Sequence, residues 1–240
     1  MIRLCILGNS HAAALKLASD GFCTANPDAR LTFFAAVSRE SKAMRVDGAC
    51  YIPLTDELAA QFELTSGGQR RIDPARFDAF LLYGFGGRGV PDDKPKRFSR
   101  AFREACILAR LREDLLCQHM QALRQLTDKP VFAALKPLPS LREGAKARRL
   151  LPHRDEVDLA QRQLCDPFGV HLLAQPPHTL IGDQATAPEH AEGSAPLERL
   201  AAQAKPPHSE QERKHMNAGY GRIWLDAFWP VLRRTLARHD

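Results

Sequence analysis

The sequence has no hydrophobic run long enough to cross a bilayer. Of its 240 residues, 44% are hydrophobic and 26% are charged, but the apolar residues occur in short groups. This composition is ordinary for a globular protein with a substantial core. The first apolar run contains Arg3 and lacks a following small-residue cleavage site, which is unlike a signal peptide. We therefore expect a cytoplasmic protein without a membrane span.

The sequence also lacks paired cysteines. Six cysteines are scattered along the chain and none forms a CxxC pair: Cys5, Cys23, Cys50, Cys106, Cys117 and Cys165. This spacing is typical neither of a disulfide framework nor of a cysteine zinc site. We expect free, mostly buried thiols.

No aromatic RNA-binding motif or zinc finger accompanies the basic charge of the chain. The net charge is +6, and much of the excess lies in residues 94–112 and 142–154. Glu104 lies within the first of these segments and Glu113 and Asp114 follow it, which favours a solvated face over a nucleic-acid partner. A nucleic-acid-associated protein stays an alternative that depends only on the basic segment 94–112. The sequence leaves the oligomeric state open.

Five short, continuous apolar runs predict buried strands. They cover residues 2–7, 31–37, 79–83, 130–134 and 170–174. Helical patterns lie between them, at 11–18, 98–126 and 156–164, and a last helix begins near Asn217 and should kink or restart at Pro230. This alternation predicts an α/β fold with a mainly parallel five-stranded sheet and helices on both faces. We expect one domain over residues 1–240.

Two segments fit this alternation less well. Residues 45–77 contain "ACYIPL" and "QFELTSGGQRRI", which we interpret as an inserted pair of strands around "SGG". Residues 181–197, "IGDQATAPEHAEGSAPL", have no apolar periodicity and are expected to form a surface loop.

The first strand and its following turn read "IRLCILGNSHAAALK", and they place Ser10 at a strand-to-helix junction. Beyond the carboxyl end of a parallel strand, Ser10 can act as a nucleophile, and the helix N-terminus can stabilise an oxyanion. Two other interpretations are open. Ser10 can be a plain helix N-cap. The segment can also begin a dinucleotide site, but the middle glycine of the G-x-G-x-x-G fingerprint is missing. The G-x-S-x-G elbow is absent as well.

A second cluster of polar residues precedes the last helix, in "ERKHMNAGYGRIWLD". Glu212 and His215 are three residues apart, so the carboxylate can hold the imidazole Nδ1–H and leave Nε2 as a base. If this segment folds beside the first strand, His215 can take the proton of Ser10.

These two blocks together resemble the SGNH/GDSL hydrolase superfamily. "ILGNSH" stands near the N-terminus, and a carboxylate–x–x–His–x–Asn element stands near the C-terminus. The resemblance implies a flavodoxin-like, three-layer α/β/α sandwich. It also implies Ser10 as nucleophile, His215 as general base and Glu212 as orienting carboxylate. The expected substrates are acyl esters of carbohydrates, lipids or small alcohols, and the chemistry needs no cofactor.

The sequence departs from the family pattern at four places. Glu212 replaces the usual Asp, and Asn9 replaces the usual acidic residue beside the serine. After the third long strand the family has Gly-x-Asn, whose amide serves the oxyanion, whereas this chain has "YGFGGRG". Backbone amides in the Gly84 to Gly89 loop, among them those of Gly84 and Gly86, can substitute. The family's second glycine donor is not evident, and Ser38 or its neighbours are the substitute there.

The missing asparagine motivates an alternative function, a binding or accessory protein that keeps the fold but has weak catalysis. Acyl transfer to a sugar hydroxyl is a further variant.

Several other polar and aromatic residues have two interpretations each. His11 lines the pocket or is a half-exposed helix residue, and Asn217 holds the His215 segment or caps the last helix. A metal site of His208, Glu212 and His215 requires that this segment be helical, which its preceding prolines disfavour. We expect Tyr220, Trp224 and Trp229 to form the core-facing side of the last helix. Arg88 is either solvated or binds an anionic group of the substrate.

Overall fold

A computed structural model describes residues 1–36, 40–86, 98–141, 149–197, 208–209 and 212–239. Its elements, in chain order, are β1 (Ile2–Gly8), α1 (Ala13–Ala25), β2 (Ala29–Ala35), β3 (Met44–Asp47), β4 (Cys50–Pro53), α2 (Asp56–Ser66), β5 (Ala79–Tyr83), α3 (Arg100–Arg112), α4 (Leu115–Leu126), β6 (Val131–Ala134), α5 (His153–Ala160), β7 (Val170–Leu173), β8 (Leu180–Ile181), β9 (Ala185–Thr186) and α6 (Ala218–Leu236). In these residues no helix combines the length and the apolar character that a bilayer crossing requires.

The main sheet has five strands, all parallel, in the order β2-β1-β5-β6-β7. Each strand lies within one or two residues of a predicted apolar run, so the predicted α/β fold with a parallel sheet is confirmed. In β1, which lies between β2 and β5, Ile6 is opposite Phe33 on one side and Leu81 on the other. The inner strands β5 and β6 are apolar and buried along their whole length, because helices cover the sheet.

Successive residues of β1 face two different hydrophobic clusters. Leu4 and Ile6 pack with α1 and α6, whereas Cys5 and Leu7 belong to the cluster that contains α2, α3, α4 and α5. This alternation follows from the two-residue period of a strand. The predicted core residues Tyr220, Trp224 and Trp229 are buried in the first cluster. All six cysteines are free, but only Cys5 and Cys165 are fully buried, so the expectation of mostly buried thiols is wrong in part.

The predicted strand pair around "SGG" is wrong. The hairpin is formed by β3 and β4, which turn at Gly48, and "QFELTS" belongs to α2. Thr55 caps the start of α2 by accepting from Leu58 N–H, and Gly67 ends it in the left-handed conformation. The "SGG" is therefore a helix C-cap, a role that glycine fills at little steric cost.

The helices also differ from the predictions at their boundaries. The predicted helix over 98–126 is two helices, because the Asp114 carboxylate accepts from Leu116 N–H and starts α4 anew. α1 is preceded by a 3₁₀ turn, Ser10–Ala12, and α5 starts three residues early and continues into a π turn, Gln161–Cys165.

Pro230 does not interrupt the last helix, contrary to expectation. It lies on the exposed face of α6, where water can bond the carbonyl that loses its donor. The segment 181–197 is not only a surface loop. It includes β9 and the buried residues Ala191, Ser194 and Leu197.

The two ends of the chain meet where α1 and α6 cross. Gly221 of α6 lies so close to the backbone of Ala14 in α1 that an added Cβ would overlap the Ala14 carbonyl. α1 follows Ser10 and α6 follows His215. The close crossing therefore brings the segments before both helices to the same edge of the sheet.

Candidate active site

Ser10 lies just beyond the carboxyl end of β1, the strand between β2 and β5, in the 3₁₀ turn that leads into α1. The chain goes from β1 to β2 on one side and later continues at β5 on the other side. In open parallel sheets, ligands bind outside the carboxyl ends of the strands at such a reversal of strand order. Ser10 therefore occupies the position at which this architecture places a ligand.

Asn9, not Ser10, caps the turn after β1. The buried Asn9 side chain accepts a hydrogen bond of 3.0 Å from His11 N–H through Oδ1, and its Nδ2 donates to the carbonyl of Gly84 after β5. One amide side chain thus holds the ends of two adjacent strands together. The plain N-cap interpretation of Ser10 is wrong, because the capping acceptor belongs to its neighbour.

The Ser10 hydroxyl instead meets His215. Ser10 Oγ and His215 Nε2 are 3.1 Å apart, although 205 positions separate the residues in the chain. This distance is that of a hydrogen bond. The imidazole is therefore in position to accept the hydroxyl proton, as a general base must be.

Glu212 lies on the other side of the His215 ring. Its Oε2 is 3.5 Å from His215 Nδ1, and both side chains are about one-fifth exposed, at 23% and 21%. Its Oε1 accepts from the backbone N–H groups of Arg213 and Lys214, at 2.9 and 2.6 Å. These bonds fix the carboxylate beside the ring, in the orienting position that the sequence predicts.

The charge of Glu212 is favoured by its surroundings. Partial burial raises the pKa of this carboxyl, but the N–H of Lys214, the nearby His215 and the N–H of Arg213 outweigh it, so the pKa lies below its usual value. An ionised carboxylate beside Nδ1 favours a hydrogen on that nitrogen and leaves Nε2 as the acceptor toward Ser10.

His11 packs against the same imidazole. The His11 and His215 rings are stacked, with centroids 4.8 Å apart and an angle of 23° between their planes. Burial, together with electrostatic interactions with His215 and Lys136, lowers the pKa of His11 to about 3. His11 is thus neutral at ordinary pH and lies partly buried against the His215 ring.

The two glycines predicted near the oxyanion have amides with other acceptors. Gly84 N–H donates to the Ala134 carbonyl at 2.9 Å, and Gly86 N–H donates to Asp114 Oδ1 at 2.8 Å. The structure does not bring either N–H to the site as a donor. Asn9 Nδ2 is likewise engaged, by the Gly84 carbonyl. Ser38 and residues 87–89, the rest of the predicted amide loop with Arg88, lie outside the described residues.

Asn217 has both of the roles proposed for it. Its Oδ1 accepts from Tyr220 N–H and caps α6, while its Nδ2 donates to the carbonyls of Glu189 and Glu192. The segment before α6 is thereby tied to the segment that carries Ser194. This connection keeps His215 at the sheet edge.

His208 approaches the site from the segment before Glu212. Its ring centroid is 4.6 Å from that of His215, and its Nδ1 is 3.1 Å from the hydroxyl of the buried Ser194. Ligand atoms of His208, Glu212 and His215 all lie within 4.8 Å of one another, a set that could hold a metal ion. The sequence made this cluster depend on a helix, but the described residues of the segment are not helical.

Sequence reasoning missed Lys136 and Ser194. Lys136 follows β6 at the carboxyl edge of the sheet and acts electrostatically on His11. Its position after a parallel strand is a usable signal. Ser194 lies in a segment without periodicity, so nothing in its local sequence indicates its contact with His208.

The chain was compared with known proteins at the level of sequence. No protein-family model matches it, and no curated protein matches it. The site therefore has to be interpreted from its geometry.

Proposed function

We propose that this protein is a serine ester hydrolase of the SGNH type. The observation that carries the proposal is the 3.1 Å separation of Ser10 Oγ and His215 Nε2 at the carboxyl edge of the sheet. Glu212 beside Nδ1 completes a Ser–His–Glu triad. The triad is defined by these mutual positions rather than by sequence order.

In the proposed reaction, Ser10 Oγ attacks the acyl carbon of an ester while its proton passes to His215 Nε2. The imidazolium then gives that proton to the leaving alcohol, and an acyl-enzyme remains on Ser10. Water repeats the sequence: its proton goes to Nε2, its oxygen bonds to the acyl carbon, and the proton returns to Ser10 as the acid leaves. Glu212 stabilises the imidazolium in both halves. These steps require no cofactor.

The architecture supports the same proposal. Numbered along the chain, the five parallel strands have the order 2-1-3-4-5, which is that of flavodoxin-like folds. The two hydrophobic clusters, one with α1 and α6 and one with α2 to α5, are consistent with a three-layer α/β/α sandwich. We infer the SGNH fold from this order together with the positions of Ser10 and His215.

The proposed site has few hydrogen-bond donors for the oxyanion. Among the described residues, the Ser10 N–H has no hydrogen-bond acceptor and is the donor that we assign. The side-chain amide that the family places after the third strand has no counterpart at Gly84 or Gly86. The loss of one such donor typically lowers kcat by about 10²–10³. We therefore expect slow turnover of simple esters.

A fluorophosphonate probe tests the proposal directly, because it phosphonylates only an activated serine. Wild-type protein should be labelled at Ser10, and Ser10→Ala should abolish labelling. Ser99→Ala is the matched control, since Ser99 is an exposed serine that caps α3. Circular dichroism verifies that each variant is folded. Folded wild-type protein that is not labelled would refute the hydrolase and favour a binding protein with this fold.

Labelled protein can then be tested for its substrate class. Acetylated sugars, lipid esters and short-chain aryl esters are supplied separately, with and without an acceptor sugar. Release of free acid indicates hydrolysis. Acylation of the added sugar hydroxyl indicates a transferase that uses the same acyl-enzyme.

A further inference from the structure

His208 and Glu212 lie close to the side of the His215 ring that faces away from Ser10. We propose that His208, Glu212 and His215 form a binding site for a divalent transition metal ion such as Zn²⁺, and that an ion bound there inhibits Ser10. The second half of this inference rests on the proposed hydrolase function, whereas the first half does not.

The spacing of the ligands is close to what zinc needs. One ligand atom from each of the three residues lies within 4.8 Å of the other two, and Glu212 Oε2 is 3.5 Å from His215 Nδ1. Around a tetrahedral ion with bonds of about 2.0–2.2 Å, neighbouring ligand atoms lie about 3.3–3.6 Å apart. Side-chain movements of about an ångström therefore suffice to close the site.

Two of the ligands are already oriented by outer partners. The hydroxyl of the buried Ser194 is 3.1 Å from His208 Nδ1, which assigns Nε2 of that ring as the ligand atom. Glu212 Oε1 accepts from two backbone N–H groups, so Oε2 is the oxygen turned toward the ion. Metal-binding histidines and carboxylates usually have such partners, which hold the side chain and select the nitrogen.

The third ligand is His215 Nδ1. This nitrogen is buried and has no hydrogen-bond partner within the described residues. The Glu212 Oε2 atom beside it is 3.5 Å away, which is long for a hydrogen bond. Two imidazoles and one carboxylate suit Zn²⁺, and three protein ligands leave a position for water.

Metal binding at Nδ1 conflicts with the triad. A neutral imidazole that coordinates a metal through Nδ1 carries its hydrogen on Nε2. Nε2 is the atom 3.1 Å from Ser10 Oγ, and with a hydrogen it cannot accept the serine proton. The ion also takes the Glu212 oxygen that stabilises the imidazolium. Zinc is therefore an inhibitor in this arrangement, not a cofactor.

Isothermal titration of chelator-treated protein with ZnCl₂ tests the site independently of activity. Wild-type protein should bind one ion per chain. His208→Gln should weaken binding by at least about 100-fold, and Ser194→Ala, which removes only an outer partner, by about 10-fold. His178→Gln changes an exposed histidine elsewhere and should bind as wild type. Thermal unfolding confirms that the variants are folded. Equal binding by His208→Gln and His178→Gln, or no stoichiometric binding by wild type, would overturn the site.

The fluorophosphonate labelling rate then tests inhibition. Saturating Zn²⁺ should slow wild-type labelling by at least about 10-fold, whereas His208→Gln at the same zinc concentration should keep its own metal-free rate. Labelling that is unchanged or faster at saturation would overturn inhibition, and faster labelling would assign the ion to catalysis. Zinc binding to protein that is never labelled would leave the site standing and refute only the hydrolase.

Discussion

At the scale of single residues, the site depends on which atom of each side chain is already engaged. Asn9 illustrates this, because it stands beside the nucleophile position and yet its amide is fully used, by the His11 N–H and the Gly84 carbonyl. Its role is to join β1 to β5. The carboxylate that the SGNH family usually has here would accept from His11 but could not donate to Gly84.

Asn9→Asp should therefore destabilise the protein, even though it introduces the residue that the resembled family usually has. A buried carboxylate oxygen would face the Gly84 carbonyl in place of an N–H donor, and we expect a loss of about 1–3 kcal/mol in the free energy of unfolding. Urea denaturation at neutral pH measures this. Unchanged stability would show that the two strand ends do not depend on this bond.

At Glu212, substitutions can separate the effect of the carboxylate charge from that of the side-chain shape. Glu212→Gln keeps the shape but removes the charge that stabilises the imidazolium, so the labelling rate of Ser10 should fall by about 10²-fold or more. Glu212→Asp should retain more of the rate, because the charge persists at a shorter reach. A Gln variant that labels as fast as wild type would mean that the 3.5 Å contact with His215 has no catalytic role.

At the scale of elements, the site exists because α1 and α6 cross closely. Each of the proposed catalytic side chains lies in the few residues before one of these helices, so the crossing point decides their separation. Gly221 permits the contact because it has no Cβ to meet the backbone of Ala14. Such small-residue contacts are not visible in the pattern of a single helix.

Gly221→Ala should push the helices apart. An overlap with backbone cannot be relieved by a rotamer change, and we expect a loss of about 2–4 kcal/mol of stability together with slower labelling of Ser10. Gly21→Ala is the matched control in α1, since a Cβ there meets nothing within 4 Å. It should stabilise the protein by about 0.5–1 kcal/mol. Equal effects of the two changes would contradict the close crossing.

At the scale of the whole molecule, buried neutral histidines make the fold sensitive to acid. Burial lowers the pKa of His119 to about 3, and burial with the nearby Arg149 lowers that of His153 to about 4. Their ordinary pKa is about 6.5. Between these values the unfolded chain binds protons that the folded chain does not, so stability is complete above about pH 6.5 and falls as the pH decreases.

The expected slope is about 1.4 kcal/mol per pH unit for each such histidine. Urea denaturation at pH 7 and pH 5 measures how much free energy of unfolding is lost on acidification. This loss should be about 2 kcal/mol smaller for His119→Asn than for wild type. Asparagine is chosen because it can still bond the Tyr51 hydroxyl, which is 2.8 Å from His119 Nδ1. His178→Asn, at an exposed position, is the control and should behave as wild type. An unchanged loss in His119→Asn would mean that His119 is protonated in the folded state.

The strands were predictable from the sequence because burial on both faces demands continuous apolar runs, and such runs are local. The order of Ser10, Glu212 and His215 and their positions next to predicted elements were also visible locally. The error around "SGG" arose because glycine pairs mark strand turns and helix ends alike, and only the Thr55 cap with the length of α2 separates the two.

Local sequence alone determined the α/β class, the parallel sheet and the presence of a hydroxyl, an imidazole and a carboxylate near its edge. Only the tertiary structure decided that these groups meet. The separation of Ser10 and His215 is set by the α1–α6 crossing and the strand order, which join parts of the chain 205 positions apart. The same long-range packing decided that Asn9 and the glycine amides are already bonded and that His208 joins the site. Contacts of this kind depend on three-dimensional closure, which no local pattern encodes.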